Sequence, residues 1–362
     1  MRNKWWIGLL LVLVLLLAAC GGDDENDADS PDWQPGVATL VVDRGSVTYG
    51  ADAQPLSAGE RAEVREGDRV EVSDDGEATL TFYDGAETRL APGTTVEVTA
   101  FQQAGESAQV ELRVVFGQAL SSVSRVLDAD SRHDITSGSA TISVRGTEYL
   151  VAARENDLVQ VTTMDGEVEV VRGDQTAIVL CGYGVWMDEE SGMSDLLVWG
   201  MASTPVEAPV EEVDLPVRLT NANTGQVFYY RTSDHMLNVP LGTYEMLVES
   251  PGPYRVTDIE FPEDTTPEDL KEIPVELAAV TFYLVDVTGE PVVGDMVVRL
   301  TQGDLEGVTQ TTAGETLLVG PGDWGIDVWQ ASNPDQVQTF EATVEAGQSA
   351  ALDIPINEFG GE

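Results

Sequence analysis

Few side chains in this chain are equipped for chemistry. There are two histidines, His133 and His235, and two cysteines, Cys20 and Cys181, set among 64 acidic residues. An enzyme needs a nucleophile, a base or a metal held at a defined spacing. No H-E-x-x-H, G-x-S-x-G, phosphate loop or dinucleotide fingerprint is present. His133 sits between Arg132 and Asp134, and His235 between Asp234 and Met236; both read as surface turn residues. Cys181 lies in the apolar run AIVLCGYGVW and reads as a small buried hydrophobe, not a reactive thiol. A carboxylate-based hydrolase would need two facing acids on a cleft. With 64 acids, neighbouring pairs arise by chance and single out none, so this reading is the runner-up from another class. Asp23, Glu25, Asp27 and Asp29 alternate much as calcium-loop ligands do, but the glycine and the closing glutamate of such a loop are missing. The expectation is a non-catalytic chain with no metal and no cofactor.

Cys20 is the exception. Residues 1–19 begin with Arg2 and Lys4, run apolar from Trp5 to Leu17 with only Gly8 between, and close on Ala18 and Ala19. That is the layout of a secretory leader, its apolar part too short for a comfortable span. Leu17-Ala18-Ala19-Cys20 resembles the bacterial lipobox. The resemblance implies cleavage before Cys20 and a diacylglyceryl group on its thiol, making the lipid bilayer the first expected partner. One acyl chain holds weakly and two hold well, at about 0.8 kcal/mol per buried methylene. An uncleaved anchor helix is the alternative, and both place the remainder outside the cytoplasm. Residues 20–36 then form an acidic tether kept extended by self-repulsion. With Cys20 acylated, Cys181 has no cysteine to pair with.

The formal net charge is −46, and Lys4 and Lys271 are the only lysines. A chain this acidic repels phosphate backbones, so nucleic acid is excluded as a partner. Its charge suits a solvated surface that resists aggregation.

From residue 37 to 187 the sequence is a succession of short strands. Val70 and Val72 alternate with charged residues, Leu80 and Phe82 with threonines, and turns recur at Gly67, Gly76, Gly85 and Gly93. No stretch has a helical apolar period, so an all-β body is expected. Its most ordered stretch is ISVRGTEYLV, Ile142 to Val151, which reads as strand, tight corner at Arg145-Gly146-Thr147, and strand. Before it comes a strand ending at Phe116-Gly117; after it comes the hairpin DLVQVTTMDGEVEVV. In this order the motifs resemble the FecR domain, a periplasmic sensing module of iron-citrate regulators and many envelope proteins. Val144, Gly146, Thr147, Glu148, Tyr149 and Val151 match at the corner, and Val161, Gly166, Val168 and Val170 in the hairpin. The resemblance covers about residues 64–171 and implies a stacked or rolled β fold. Tyr149 reads as a core aromatic capping a layer rather than a ligand contact. Regulators of this kind hold a sigma factor through a cytoplasmic segment ahead of a membrane helix. Only Met1 to Lys4 precede the apolar run here, so signalling is expected to pass through another membrane protein.

Residues 188–213, with Pro205, Pro209 and alternating acids, read as a semi-rigid linker. The rest is an internal repeat, 214–279 and 280–362. Val217-Arg218-Leu219 aligns with Val298-Arg299-Leu300, Tyr244 with Trp324, and Ile273-Pro274-Val275 with Ile354-Pro355-Ile356. The second copy's VDVTGEPVVGDMVVRL and its PGDW hairpin resemble the prealbumin-like sandwiches of carboxypeptidase-regulatory and Cna-B modules. Val285, Gly289, Pro291, Val292, Gly294, Val297 and Leu300 match, with Asp295 replacing the usual alanine. Two tandem β-sandwiches are expected. The function anticipated is a membrane-anchored extracytoplasmic lipoprotein that senses or binds an envelope protein, peptide or glycan. Its rival is a structural or adhesive protein whose sandwiches act as spacers.

Overall fold

A computed structural model describes residues 33–355, apart from 84, 85, 106, 124–130, 145, 212 and 287. Cys20, the leader, most of the tether and Arg145 therefore lie outside the described residues. Within them the chain is all β, with only a 3-10 turn at Glu155–Asp157. A head of two stacked sheets is followed by β-sandwich layers.

The head's first sheet runs, in order, through 54–57, 46–49, 69–72, 95–104, 107–116, 132–137, 140–144, 167–172 and 175–180. The second runs through 61–64, 38–44, 77–83, 86–90, 117–123, 147–153, 159–165 and 183–188. Alternation drives this packing. In Thr95–Ala104, Val96, Val98 and Phe101 turn inward to the core shared by both sheets, and the residues between them face out.

Two crossings tie the sheets together. The strand Ser107–Val123 pairs in the first sheet up to Phe116, then in the second from Gly117 onward. The sequence suggested that this strand ends at Phe116-Gly117; instead it changes sheets there. Gly117 allows this with φ of +93°, and a Cβ would lie 2.5 Å from the Thr94 Cα. The second crossing is the ISVRGTEYLV corner. Ala140–Val144 belongs to the first sheet and Thr147–Ala153 to the second, so the two strands do not pair with each other. Thr147 Oγ1 donates to the Glu167 carbonyl at 3.0 Å, fastening the corner to the following hairpin.

The two sandwiches share one topology. Their larger sheets have the orders 227–231, 216–221, 242–248, 254–261 and 305–312, 295–302, 322–330, 333–344. Tyr244 Oη donates to the Pro240 carbonyl at 2.7 Å, and Trp324 Nε1 to the Gly320 carbonyl at 2.7 Å. Each aromatic thus closes its sandwich end by reaching four residues back. In the second copy, Ala278–Val285 is flanked by Thr316–Val319 antiparallel and Ser349–Pro355 parallel. In the first, Leu197–Ser203 is flanked in the same way by Leu237–Pro240 and Leu270–Glu272.

This differs from the linker expected over 188–213. Leu197–Ser203 is the opening strand of the first sandwich, and it also pairs with the head at Tyr183↔Val198 and Gly184↔Leu197. The physical reason is local. Trp199 fills the core, while Gly200 lets the Phe261 ring press on the backbone, where a Cβ would come within 2.2 Å of the ring. A glycine at that point erases the alternation that marks a strand. Head and first sandwich are therefore joined by continuous β structure.

Candidate functional site

The residues singled out by type are dispersed. His235 lies in an exposed turn, as anticipated. His133 does not: it is fully buried on the strand Arg132–Ser137, edge-on to Phe82 at 5.8 Å, and neither ring nitrogen has a hydrogen-bond partner. Burial depresses its pKa to about 4. The expectation of a surface turn fails because Arg132 and Asp134 flank a residue whose own side chain points inward. Cys181 is half-buried and its thiol donates to the Met164 carbonyl at 2.9 Å; burial, then Asp165, pushes it up and away from the reactive thiolate. Tyr149 is fully buried in the head core, and burial raises its phenol well above the usual range. A Tyr149→Phe variant should therefore keep its stability to within about 1 kcal/mol, since it deletes a buried hydroxyl while keeping the ring. A loss above about 3 kcal/mol in urea titration would instead assign the hydroxyl a structural bond.

The residues the fold does bring together lie on the outer face of the head's second sheet. Leu120, Leu150, Ala152 and Met164 share one core with Trp199, Phe228 and Tyr230 of the first sandwich. The strand Thr147–Ala153 is consequently buried on both faces. Head side chains also cap the open edge of the sandwich strand Val227–Arg231. Gln118 donates through Nε2 to the Tyr229 carbonyl, and its Oε1 accepts from the Tyr229 N–H at 3.1 Å. Arg154 donates to the Val227 carbonyl at 2.7 Å, with its guanidinium 5.4 Å from the Phe228 ring centroid. From the sandwich side, buried Asn238 donates to the Thr163 carbonyl at 2.8 Å. An exposed sheet edge invites pairing with other chains, and here it is closed within the molecule.

Beside this edge runs an ion network. Arg89 grips Asp234 with two bonds, 2.9 and 2.6 Å, and lies 3.4 Å from Glu77. Arg231 donates to Glu77 at 2.8 Å and to Asp214 at 2.8 Å. Arg44 pairs with Glu249. Burial raises the Glu77 carboxyl despite pulls from Arg231 and Arg89. Burial, then the Asp234 charge, raises Glu148. Burial opposes ionisation of Asp214 too, but its hydrogen bonds to Arg231 and Ser233 hold it low. Four of the chain's 18 basic residues (Arg44, Arg89, Arg154 and Arg231) are thus committed to this joint. Sequence reasoning missed them because their partners are up to 205 residues away. The scarcity of cations was the available signal: an arginine in so acidic a chain has many possible partners.

The first sheet's outer face stays open. At one end it carries ion pairs of its own: Arg69 with Glu71 and Glu97 at 2.7 and 2.9 Å, and Arg113 with Glu97 at 3.2 Å. Next to these, a groove of about 450 Å3 is lined by Arg132, Asp134, Ser143, Glu167, Glu169 and Ile178, with Arg132 bonded to Asp134 at 2.8 Å. Among the described residues no group of three or more His, Cys, Asp or Glu side chains could hold a metal ion.

Residues 68–169 match the family described as FecR protein, which places the match inside the two-sheet head. Among solved structures the chain is similar to a candidate anti-sigma factor from Parabacteroides distasonis, at 23% identity and a TM-score of 0.30, over 36% of this chain and 57% of that one. It is also similar to GBS52, the minor pilin of Streptococcus agalactiae, at 12% identity and a TM-score of 0.21, over 43% of this chain and 94% of that one. The Bacillus anthracis TIE protein aligns over 98% of this chain and 79% of its own, at 8% identity and a TM-score of 0.19. No curated protein matches the chain.

Proposed function

We propose that this chain is a non-catalytic extracytoplasmic lipoprotein, held to a bilayer through acylated Cys20, whose FecR-like head senses or binds an envelope partner. The prealbumin-like sandwiches behind the head serve as its mount. The observation that carries this reading is the unequal use of the head's two faces. One is spent on the first sandwich, while the other keeps an open groove. The match to FecR over residues 68–169 supports a sensing or envelope role for that head.

Attachment is tested by Cys20→Ser. The variant is expected to appear in the soluble extracytoplasmic fraction, or as a full-length unprocessed precursor without lipid, while the parent protein partitions into detergent. A variant that still takes up labelled palmitate overturns the anchor. Partner binding is tested by cross-linking the lipidated protein in intact membranes. Recovery of one defined envelope protein supports sensing. The joint favours one rival, because an edge-capped, ion-paired connection suits a rigid spacer. Retention on purified cell wall with no membrane-protein adduct would decide for that structural role.

A further inference from the structure

The open face of the head has a composition that selects its partner. Its rows run straight across four strands: Asp134, Ser143, Glu169 and Ile178 stand side by side in register, and Glu167 stands beside Leu180. Asp134 is satisfied by Arg132. Glu167 and Glu169 are exposed and their carboxylates make no ion pair among the described residues, whereas the glutamates across the sheet, Glu71 and Glu97, are paired. Ile178 and Leu180, 43% and 46% exposed, lie alongside these two carboxylates on the last strand of the sheet. The face therefore offers two fixed negative charges about 7 Å apart, the i, i+2 repeat of a strand, bordered by an apolar ledge. The opposite face of the head is already covered by the first sandwich, whereas this one is open among the described residues.

We propose that this face docks an extended segment of a partner protein carrying lysine or arginine at alternate positions. The inference rests on the binding role proposed above and names the chemistry of its partner. A lysine or arginine has the two parts the surface asks for: a methylene stem to lie on Ile178 and Leu180, and a cationic head to reach Glu167 or Glu169. Alternation along an extended segment repeats at the same 7 Å interval as the two carboxylates. An anionic glycan or an acidic peptide would face uncompensated like charge here. A neutral glycan would find no aromatic platform among the groove's lining residues.

The test uses the full chain and three labelled dodecapeptides: alternating Lys-Ser, alternating Arg-Ser and alternating Glu-Ser. The two cationic peptides are expected to bind, by fluorescence anisotropy at 0.15 M salt, and the acidic one is not. Any acidic protein attracts cations, so the decisive comparison is between variants. Glu167→Gln with Glu169→Gln should weaken binding at least tenfold, and Ile178→Ser about threefold. Asp335→Asn with Glu341→Gln, two exposed acids on the second sandwich, should leave it unchanged. Equal losses in the head and sandwich variants would mean diffuse charge attraction and overturn the proposal. So would tighter binding by the acidic peptide. An envelope cross-link that survives Glu167→Gln with Glu169→Gln would reject this surface while leaving the binding role itself standing. Loss of the cross-link in the parent protein would reject that role.

Discussion

The head is expected to lose stability as the pH falls from about 6.5 towards 4, and His133→Phe should remove a large part of that loss. His133 is fully buried and its two ring nitrogens have no partners, so only the neutral imidazole is tolerated in the fold. Its pKa falls to about 4 in the folded head, against about 6.5 in an unfolded chain. As the pH falls, the unfolded chain binds this proton first, while the buried ring resists it. Its contribution is therefore complete above the unfolded value and declines as pH drops through the interval between the two. At about 1.4 kcal/mol per pH unit, the whole interval is worth roughly 3 kcal/mol. Urea titrations of the full chain at pH 7.5 and 4.5 would show it. Between these two pH values, which cover about two of the two and a half units, the parent should lose about 2 to 3 kcal/mol more than His133→Phe, in which an aromatic ring keeps contact with Phe82. His133→Gln separates charge from packing: it should lose the pH dependence while being less stable at both values. Equal pH slopes in the parent and both variants would move the acid sensitivity to the carboxylates.

His133 also marks where sequence reading reaches its limit. Strands with one wet face were legible, because apolar residues alternate with polar ones; Val70, Val72, Leu80 and Phe82 all turn into the core on that pattern. The all-β class followed from them. Arg132–Ser137 has the same alternation, but its inward residues include His133 and Ser137, and the polarity hid the strand's inner face. In Thr147–Ala153 the opposite happened. Leu150 and Ala152 are as buried as Tyr149 and Val151 because the sandwich covers the far side. The unbroken run Tyr-Leu-Val-Ala-Ala was the trace of that second contact, since a strand covered on both faces loses alternation. Leu197–Ser203 was obscured by Gly200, whose missing side chain makes room for Phe261. The joint was out of reach for a different reason. Glu77 meets Arg231 across 154 residues and Arg89 meets Asp234 across 145. Among 64 acids no local spacing distinguishes Glu77 or Asp234 from the rest.

That long-range pairing is why Arg231→Ala should have the largest effect of any surface-distant charge change in the head or first sandwich. Glu77 is 5% exposed and meets two guanidinium groups, Arg231 at 2.8 Å and Arg89 at 3.4 Å. Arg89 already holds Asp234 with both ends of its fork, so it cannot fully replace Arg231. Truncating Arg231 leaves a buried carboxylate without its nearest guanidinium, and breaking a buried pair in this way costs about 3 to 5 kcal/mol. Arg299→Ala gives the scale of an exposed charge. It removes ion pairs with Glu306 at 3.3 Å and Asp327 at 3.8 Å and a cation–π contact with Trp329 at 5.4 Å on the second sandwich, and should cost about 1 to 2 kcal/mol. Two further results would tie the loss to Glu77 itself. The first is its pH dependence. Burial already raises the Glu77 carboxyl, and without Arg231 it rises further. A carboxyl with a raised folded pKa is held back in its charged form, so the penalty is present at neutral pH and shrinks as the pH falls and Glu77 takes up a proton. The second is the double variant Glu77→Gln with Arg231→Ala, which has no stranded charge and should be more stable at pH 7 than Arg231→Ala alone. Because Arg231 belongs to the sandwich and Glu77 to the head, Arg231→Ala should also split one cooperative unfolding transition into two, followed by limited proteolysis between residues 188 and 197. A single transition, with a loss no greater than that of Arg299→Ala, would mean that the shared apolar core and the Gln118 and Arg154 edge cap hold the joint without the ion network.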